Sequence, residues 1–156
     1  MTEPYTSYSY LEDGARLERF DLDPEYDRVP PYDLGLDADQ VARVARLLAD
    51  HVVISLHDHP VRFPRDMAQT PAYNRTARQH TAFEGLARSG MTAVFDNMMD
   101  GTACVTGSAP WRWNDIITDL GMRLADLAHA PGFDLIKTPH DIDAARAAGH
   151  VGLVFG

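Results

Sequence analysis

Two histidines, His57 and His59, stand two residues apart directly after an apolar run at residues 52–56. The run is short and rich in β-branched residues, which predicts a strand buried on both faces, as in a parallel sheet. Side chains alternate across a strand, so both imidazoles are expected on one side of it. Two neutral imidazoles at this spacing can bind one divalent metal ion such as zinc. The alternative is a pair of loop histidines that bind nothing.

Three further polar residues are weaker candidates, for contacts with a substrate. Asp96 and Asn97 follow a second apolar run, Met91–Phe95, and would lie at the same end of a parallel sheet as the histidines. Loop capping and turn formation are the alternative role of both residues. Arg62 follows the first strand and could pair with a substrate carboxylate. Its alternative role is that of a solvated loop charge.

The elements around these residues alternate between strand and helix. Apolar spacing and capping residues predict a helix that begins near Asp37 and further helices at Tyr73–Ser89, Asn114–Ala130 and Asp141–Ala148. The predicted strands are residues 52–56, 91–95 and 151–155. This alternation implies an α/β fold with a parallel sheet and right-handed crossovers. Two uncovered sheet edges would favour association with another chain.

Residues 1–36 differ in character from the rest of the chain. They are poor in aliphatic residues, rich in Tyr, Asp and Pro, and show no period of 2 or 3.6. We therefore predict an irregular N-terminal arm at 1–36, which lies over a body at 37–156 and uses aromatic rings as anchors. A partly disordered tail is the alternative.

Composition excludes several classes of partner. The 14 Lys and Arg face 23 Asp and Glu, a formal net charge of -9. A nucleic-acid binder needs a cationic face, and so does a protein that docks on an anionic membrane, so neither partner is expected. The one cysteine, Cys104, excludes an intrachain disulfide. The N-terminus also lacks the order of a signal peptide, and we expect a cytoplasmic protein.

Two parts of the sequence resemble a known family. Ile54-Ser55-Leu56-His57-Asp58-His59-Pro60 resembles the first-strand metal motif of the amidohydrolase superfamily. Residues 115–156 are similar to the corresponding stretch of the membrane dipeptidase (renal dipeptidase, M19 peptidase) family. The most specific part is Asp141-Ile142-Asp143-Ala144-Ala145-Arg146-Ala147-Ala148-Gly149 with the strand that follows it. The resemblance covers about residues 50–156 and leaves the arm unmatched.

The resemblance implies a (β/α)8 barrel of the TIM type with a two-zinc site that hydrolyses a dipeptide or a similar small amide. In that family a metal-bound hydroxide attacks the carbonyl that the ions polarise. His57 matches the first metal ligand. His59 stands where these dipeptidases have Asp, although the wider superfamily has His there. The implied cofactor is therefore zinc, held in part by His57 and His59.

By this resemblance we expect the chain to hold only the first three βα units of such a barrel, which takes about 250 residues. The other metal ligands would then lie on later strands. We therefore expect the remainder of the barrel from a second chain or from a missing C-terminal part, and a homo-oligomer of the complete protein is a further expectation. Two alternatives stay open. One is a non-catalytic scaffold or small-molecule-binding subunit that keeps a barrel-like fold, and the other is a small flavodoxin-like binding domain.

Overall fold

The computed structural model describes residues 6–9, 18–76, 79–97 and 113–156. Within these ranges six segments are helical: α1 Ala38–Asp50, a single 3-10 turn Met67–Gln69, α2 Thr70–Thr76, α3 Phe83–Arg88, α4 Trp113–Ala128 and α5 Pro139–Ala148. The strands are β1 Ile54–Asp58, β2 Ala93–Asp96, β3 Phe133–Leu135 and β4 Val151–Phe155. Cys104 and most of the predicted loop at 97–110 lie outside the described residues.

The four strands form one parallel sheet in the order β1-β2-β4-β3. This confirms the predicted α/β class and the parallel pairing. The prediction of three strands is wrong, because β3 was not expected. This strand has only three residues and pairs with the first half of β4, from Phe133 opposite Val151 to Leu135 opposite Leu153. So short a segment carries no alternation that a sequence pattern could reveal.

The start of α1 and the end of α5 lie where local chemistry predicts them. The Asp37 carboxylate accepts from the N–H of Gln40 at 2.8 Å, and the Gln40 side chain accepts from the N–H of Asp37 at 3.0 Å, a capping box at the start of α1. Gly149 ends α5 in the left-handed region with φ +72°, where glycine avoids a steric penalty. Because these interactions span four residues or fewer, the sequence reveals them directly.

The single helix predicted at Tyr73–Ser89 is wrong. Instead, α2 ends at Thr76 and a separate helix, α3, begins at Phe83. Residues between the two helices bind the loop that follows β1 instead: the N–H of Arg62 donates to the His80 carbonyl at 2.8 Å, and the N–H of Ala82 donates to the Pro60 carbonyl at 2.7 Å. These long-range bonds replace the helical ones that a continuous helix would have made.

The core lies between the sheet and the helices α3 and α4, and β1 stands outside it. Leu86, Val94, Leu127, Val151 and Leu153 form the buried cluster. By contrast, Ile54 and Leu56 of β1 are exposed, Leu56 to 75%. The prediction that this strand is buried on both faces is therefore wrong. As an edge strand, β1 has a neighbour on one side only, and the described residues leave its apolar side chains uncovered.

The described part of the predicted arm, residues 6–9 and 18–36, is irregular; Tyr8 and Leu22 contact the body, whereas residues 29–36 are exposed. Leu22 makes an isolated antiparallel bridge with Pro64. The Tyr8 ring stacks on His80 with centroids 4.2 Å apart, and its hydroxyl accepts from the N–H of Thr81 at 2.5 Å. The Tyr8 ring thus anchors residues 6–9 to the body. Among the described residues, no helix is both long and apolar enough to cross a membrane.

Candidate functional site

The histidine pair lies at the carboxyl end of β1, next to the end of β2. The register between these strands shifts between Ser55 and Asp58. Ser55 pairs with Val94 and Asp58 with Asp96, so three residues of β1 advance along two residues of β2. Such a bulge re-aims the side chains beside it. The Asp58 carboxylate then fixes the strand end by accepting from the Ser55 hydroxyl at 3.1 Å and from the N–H of His59 at 2.8 Å.

The two imidazoles converge through their Nε2 atoms, which are 3.1 Å apart. The rings meet edge to face, with centroids at 4.9 Å and planes at 88°. His57 is exposed and His59 is half-buried, so the shared edge is accessible from solvent. The structure therefore brings together the two residues that the sequence predicts as metal ligands.

Asn97 makes three contacts with the segment that carries the pair. Its N–H donates to the Asp58 carbonyl at 3.1 Å and so extends the parallel ladder by one step. Its own carbonyl accepts from His59 Nδ1 at 2.9 Å. Its side-chain amide contacts His57 Nδ1. Of the three residues predicted to contact substrate, Asn97 is thus the one that binds the histidines directly.

The two Nε2 atoms are spaced as two ligands of one zinc ion are, and also as a hydrogen-bonded pair is. Two nitrogen ligands of one tetrahedral zinc ion, each about 2.05 Å from it, lie about 3.3 Å apart, close to the observed 3.1 Å. A ring N–H donated to a backbone carbonyl, as His59 donates to Asn97, is the usual outer support of a zinc-bound histidine. Among the described residues, no group of three or more His, Cys, Asp or Glu side chains could hold an ion. Further ligands would have to come from elsewhere.

Asp96 occupies a different environment from Asn97. Its carboxylate is 1% exposed and accepts from Arg123 Nη1 at 2.7 Å, while Arg123 Nε lies 3.2 Å from Asp119. The carboxylate is thus engaged by a buried guanidinium of α4. Sequence reasoning missed Arg123, although a signal existed: this charged residue stands between Leu120 and Leu127 within the apolar stripe of α4, which indicates a buried partner.

Arg62 lies in another part of the structure from the histidine contacts. Its guanidinium donates to the Asp23 carbonyl, at 2.9 Å from Nη2, and its Nε is 3.6 Å from the Glu25 carboxylate. It borders a cavity of about 440 Å³, which the histidine pair does not line. The other principal lining side chains are Tyr8, Glu25, His80, Phe83 and Phe133. A role of Arg62 or Asp96 in binding substrate stays a prediction.

Comparison of this chain with known proteins identifies no relative. No family model, no curated protein and no solved structure matches this chain. Inferences about function therefore depend on the residues and geometry described above.

Proposed function

We propose that this chain is the N-terminal portion of a metal-dependent hydrolase that resembles membrane dipeptidases. Its substrate would be a dipeptide or a similar small amide, cleaved once the rest of the barrel is supplied. The observation that carries the proposal is the convergence of His57 and His59 Nε2 at the carboxyl edge of a parallel sheet. That edge is where active sites of barrels and open α/β sheets lie.

In this proposal His57 and His59 hold one zinc ion of a two-zinc site. A bound zinc ion supplies a Lewis acid for the amide carbonyl and makes bound water a stronger nucleophile near neutral pH. The chain's own residues orient the ligands: the bulge in β1 aims the imidazoles, and the Asn97 carbonyl holds the His59 ring. The cytoplasm remains the proposed location.

The barrel itself is part of the proposal. β1, β2 and β4 are adjacent, parallel and in chain order, as the first three strands of a (β/α)8 barrel must be. β3 pairs with the first half of β4 on the side where the fourth barrel strand would lie, so the barrel requires the fourth strand to take the place of β3 there. The apolar side chains of β1 and α1 are exposed. Their exposure favours the presence of further strands and helices that cover them, in a second chain or in a C-terminal part.

The test is zinc content of the complete assembly after dialysis, measured by atomic spectroscopy. We expect His57→Ala and His59→Ala each to lower zinc content and to abolish hydrolysis of dipeptides. His140→Ala is the matched control, because His140 is exposed on α5, and it should leave both unchanged. Equal zinc content in wild type and the two pair variants would contradict the ligand assignment.

The cavity beside Arg62 favours a second candidate, a small-molecule-binding subunit without hydrolysis. Its volume of about 440 Å³ lies within the range of ligand pockets, about 300–1,000 Å³. Phe83 and Phe133, with ring centroids 4.8 Å apart, supply apolar walls, and Arg62 with Glu25, 3.6 Å apart, supplies charges of both signs. The test is titration with benzoate and, separately, with benzylamine. Saturable binding of either compound that Ala87→Trp abolishes would support this function, and binding of neither would contradict it.

A further inference from the structure

For neutral imidazoles, the contacts of Asn97 indicate which ring nitrogen of each histidine carries the proton. A carbonyl oxygen only accepts, so His59 Nδ1, at 2.9 Å from the Asn97 carbonyl, must donate. An amide nitrogen only donates, so His57 Nδ1 must accept from Asn97 Nδ2. Because a neutral imidazole has one ring proton, that of His59 is on Nδ1 and that of His57 is on Nε2.

The remaining contact agrees with this assignment. His57 Nε2 then carries a proton, and His59 Nε2 carries a lone pair, at a separation of 3.1 Å. His57 Nε2 therefore donates to His59 Nε2. Three hydrogen bonds thus close a ring through Asn97, His57 and His59, in which each donor faces an acceptor. In this closed arrangement the edge that would bind a metal ion is occupied by the His57 proton.

We propose that Asn97 is the positioning residue of this site, and that rotation of its side-chain amide opens the histidine pair to a metal ion. A half-turn about Cβ–Cγ presents Oδ1 to His57 in place of Nδ2. His57 then loses its Nε2 proton to solvent and gains one on Nδ1, so its proton count is unchanged. Each Nε2 then carries a lone pair that can bind an ion. The role of the ion rests on the proposed function, whereas the closed ring rests on the contacts alone.

The fixed position of Asn97 supports this role. Its backbone N–H is held by the Asp58 carbonyl at 3.1 Å, so its carbonyl and its side chain are presented from one rigid point of the ladder. The backbone carbonyl serves His59 in both arrangements, and only the side-chain amide changes what it offers to His57. An asparagine is suited to this exchange because its amide carries a donor and an acceptor of similar size.

The test is long-range ¹H–¹⁵N NMR of the imidazoles at pH 8. Spectra of His57→Ala and His59→Ala assign the signals. In the metal-free wild type we expect His57 protonated on Nε2 and His59 on Nδ1. Addition of zinc should move the His57 proton to Nδ1 and leave that of His59 in place. The same tautomer for both histidines in the metal-free protein would overturn the proposal.

Two variants separate a positioning role from a structural one. Asn97→Asp has the same size but only accepts, so we expect the His57 proton on Nδ1 even without zinc, and zinc binding roughly 10-fold tighter. Asn97→Leu neither donates nor accepts, so we expect a mixture of His57 tautomers and zinc binding roughly 10-fold weaker. Asn114→Asp, at an exposed site on α4, controls for the added charge and should change neither quantity.

The outcomes distinguish this proposal from the proposed function. His57 tautomers that are the same in wild type and both Asn97 variants would overturn the positioning role, whatever the zinc affinity. Another outcome is that the tautomers change as expected while neither the wild type nor any variant binds zinc. That result would contradict both the proposed hydrolase and the opening toward a metal ion. It would still support the role of Asn97 in positioning the two imidazoles.

Discussion

Arg123 joins α4 to the end of β2 by donating from Nη1 to Asp96 Oδ2 at 2.7 Å, with both side chains almost fully buried. Asp119, one helical turn earlier, approaches the same guanidinium at 3.2 Å. This pair fixes the strand end from which Asn97 reaches the histidines. It therefore connects the stability of the sheet to the geometry of the candidate site.

Removal of one partner from this buried pair should be costly. We expect Asp96→Asn to lower the free energy of unfolding by about 3 kcal/mol, near the lower end of the range for a broken buried pair, because Asp119 still faces Arg123. Asp119→Asn, at a more exposed carboxylate, should cost less. Urea unfolding measures both. An Asp96 variant of wild-type stability with impaired substrate binding would instead support the predicted substrate role.

Gly152 of β4 lies against Ile136, and this contact leaves no room for a side chain. A Cβ atom built at residue 152 would be 2.5 Å from Ile136 Cγ1 and 2.6 Å from Cδ1. We expect Gly152→Ala to lower the free energy of unfolding by about 1–3 kcal/mol, as overpacking does. The double variant with Ile136→Ala should be less destabilised than the sum of the two single variants. Additive effects would show that the contact is not the cause.

The pKa of Asp141 is lowered because its carboxylate accepts from the backbone N–H groups of Lys137 and Thr138 at the start of α5. A group whose pKa is depressed by folding stabilises the folded state above its unfolded pKa, about 3.9. That contribution is lost as the pH falls through the lower folded value. We expect Asp141→Asn to reduce stability at pH 7 but to have progressively less effect below about pH 4.

The measurement is urea unfolding of the wild type and of Asp141→Asn between pH 2.5 and 7. Asp143→Asn is the matched control, because it removes an exposed carboxylate from the same helix, and it should show no comparable loss at pH 7. A difference between wild type and Asp141→Asn that is constant with pH would contradict the assignment.

The apolar side chains on β1 and α1 should mediate association of the isolated chain, because exposed apolar patches and open sheet edges attract partners. Leu56 is 75% exposed, so Leu56→Lys should change the free energy of unfolding by no more than about 0.5 kcal/mol. It should nevertheless weaken self-association in sedimentation velocity experiments at micromolar concentration. A wild-type chain that stays monomeric under these conditions would refute this expectation.

Tertiary contacts overrode local preference in two places. The sequence from Tyr73 to Ser89 has a helical pattern, yet its middle binds the loop after β1, through Arg62 and Pro60. The run at 52–56 has the composition of a buried strand, yet Ile54 and Leu56 are exposed at the sheet edge. Composition describes what a segment could bury, whereas exposure depends on which other segments reach it.

The sequence alone determined the features that depend on near neighbours. The caps of α1 and α5, the alternation of strands and helices, and the two-residue spacing of His57 and His59 all follow from interactions over a few residues. Only the tertiary structure decided that Asn97, 40 residues beyond His57, binds both imidazoles, and that Arg123 neutralises Asp96. Those contacts depend on the register of β1 against β2 and on the packing of α4 onto the sheet, and the local pattern contains neither.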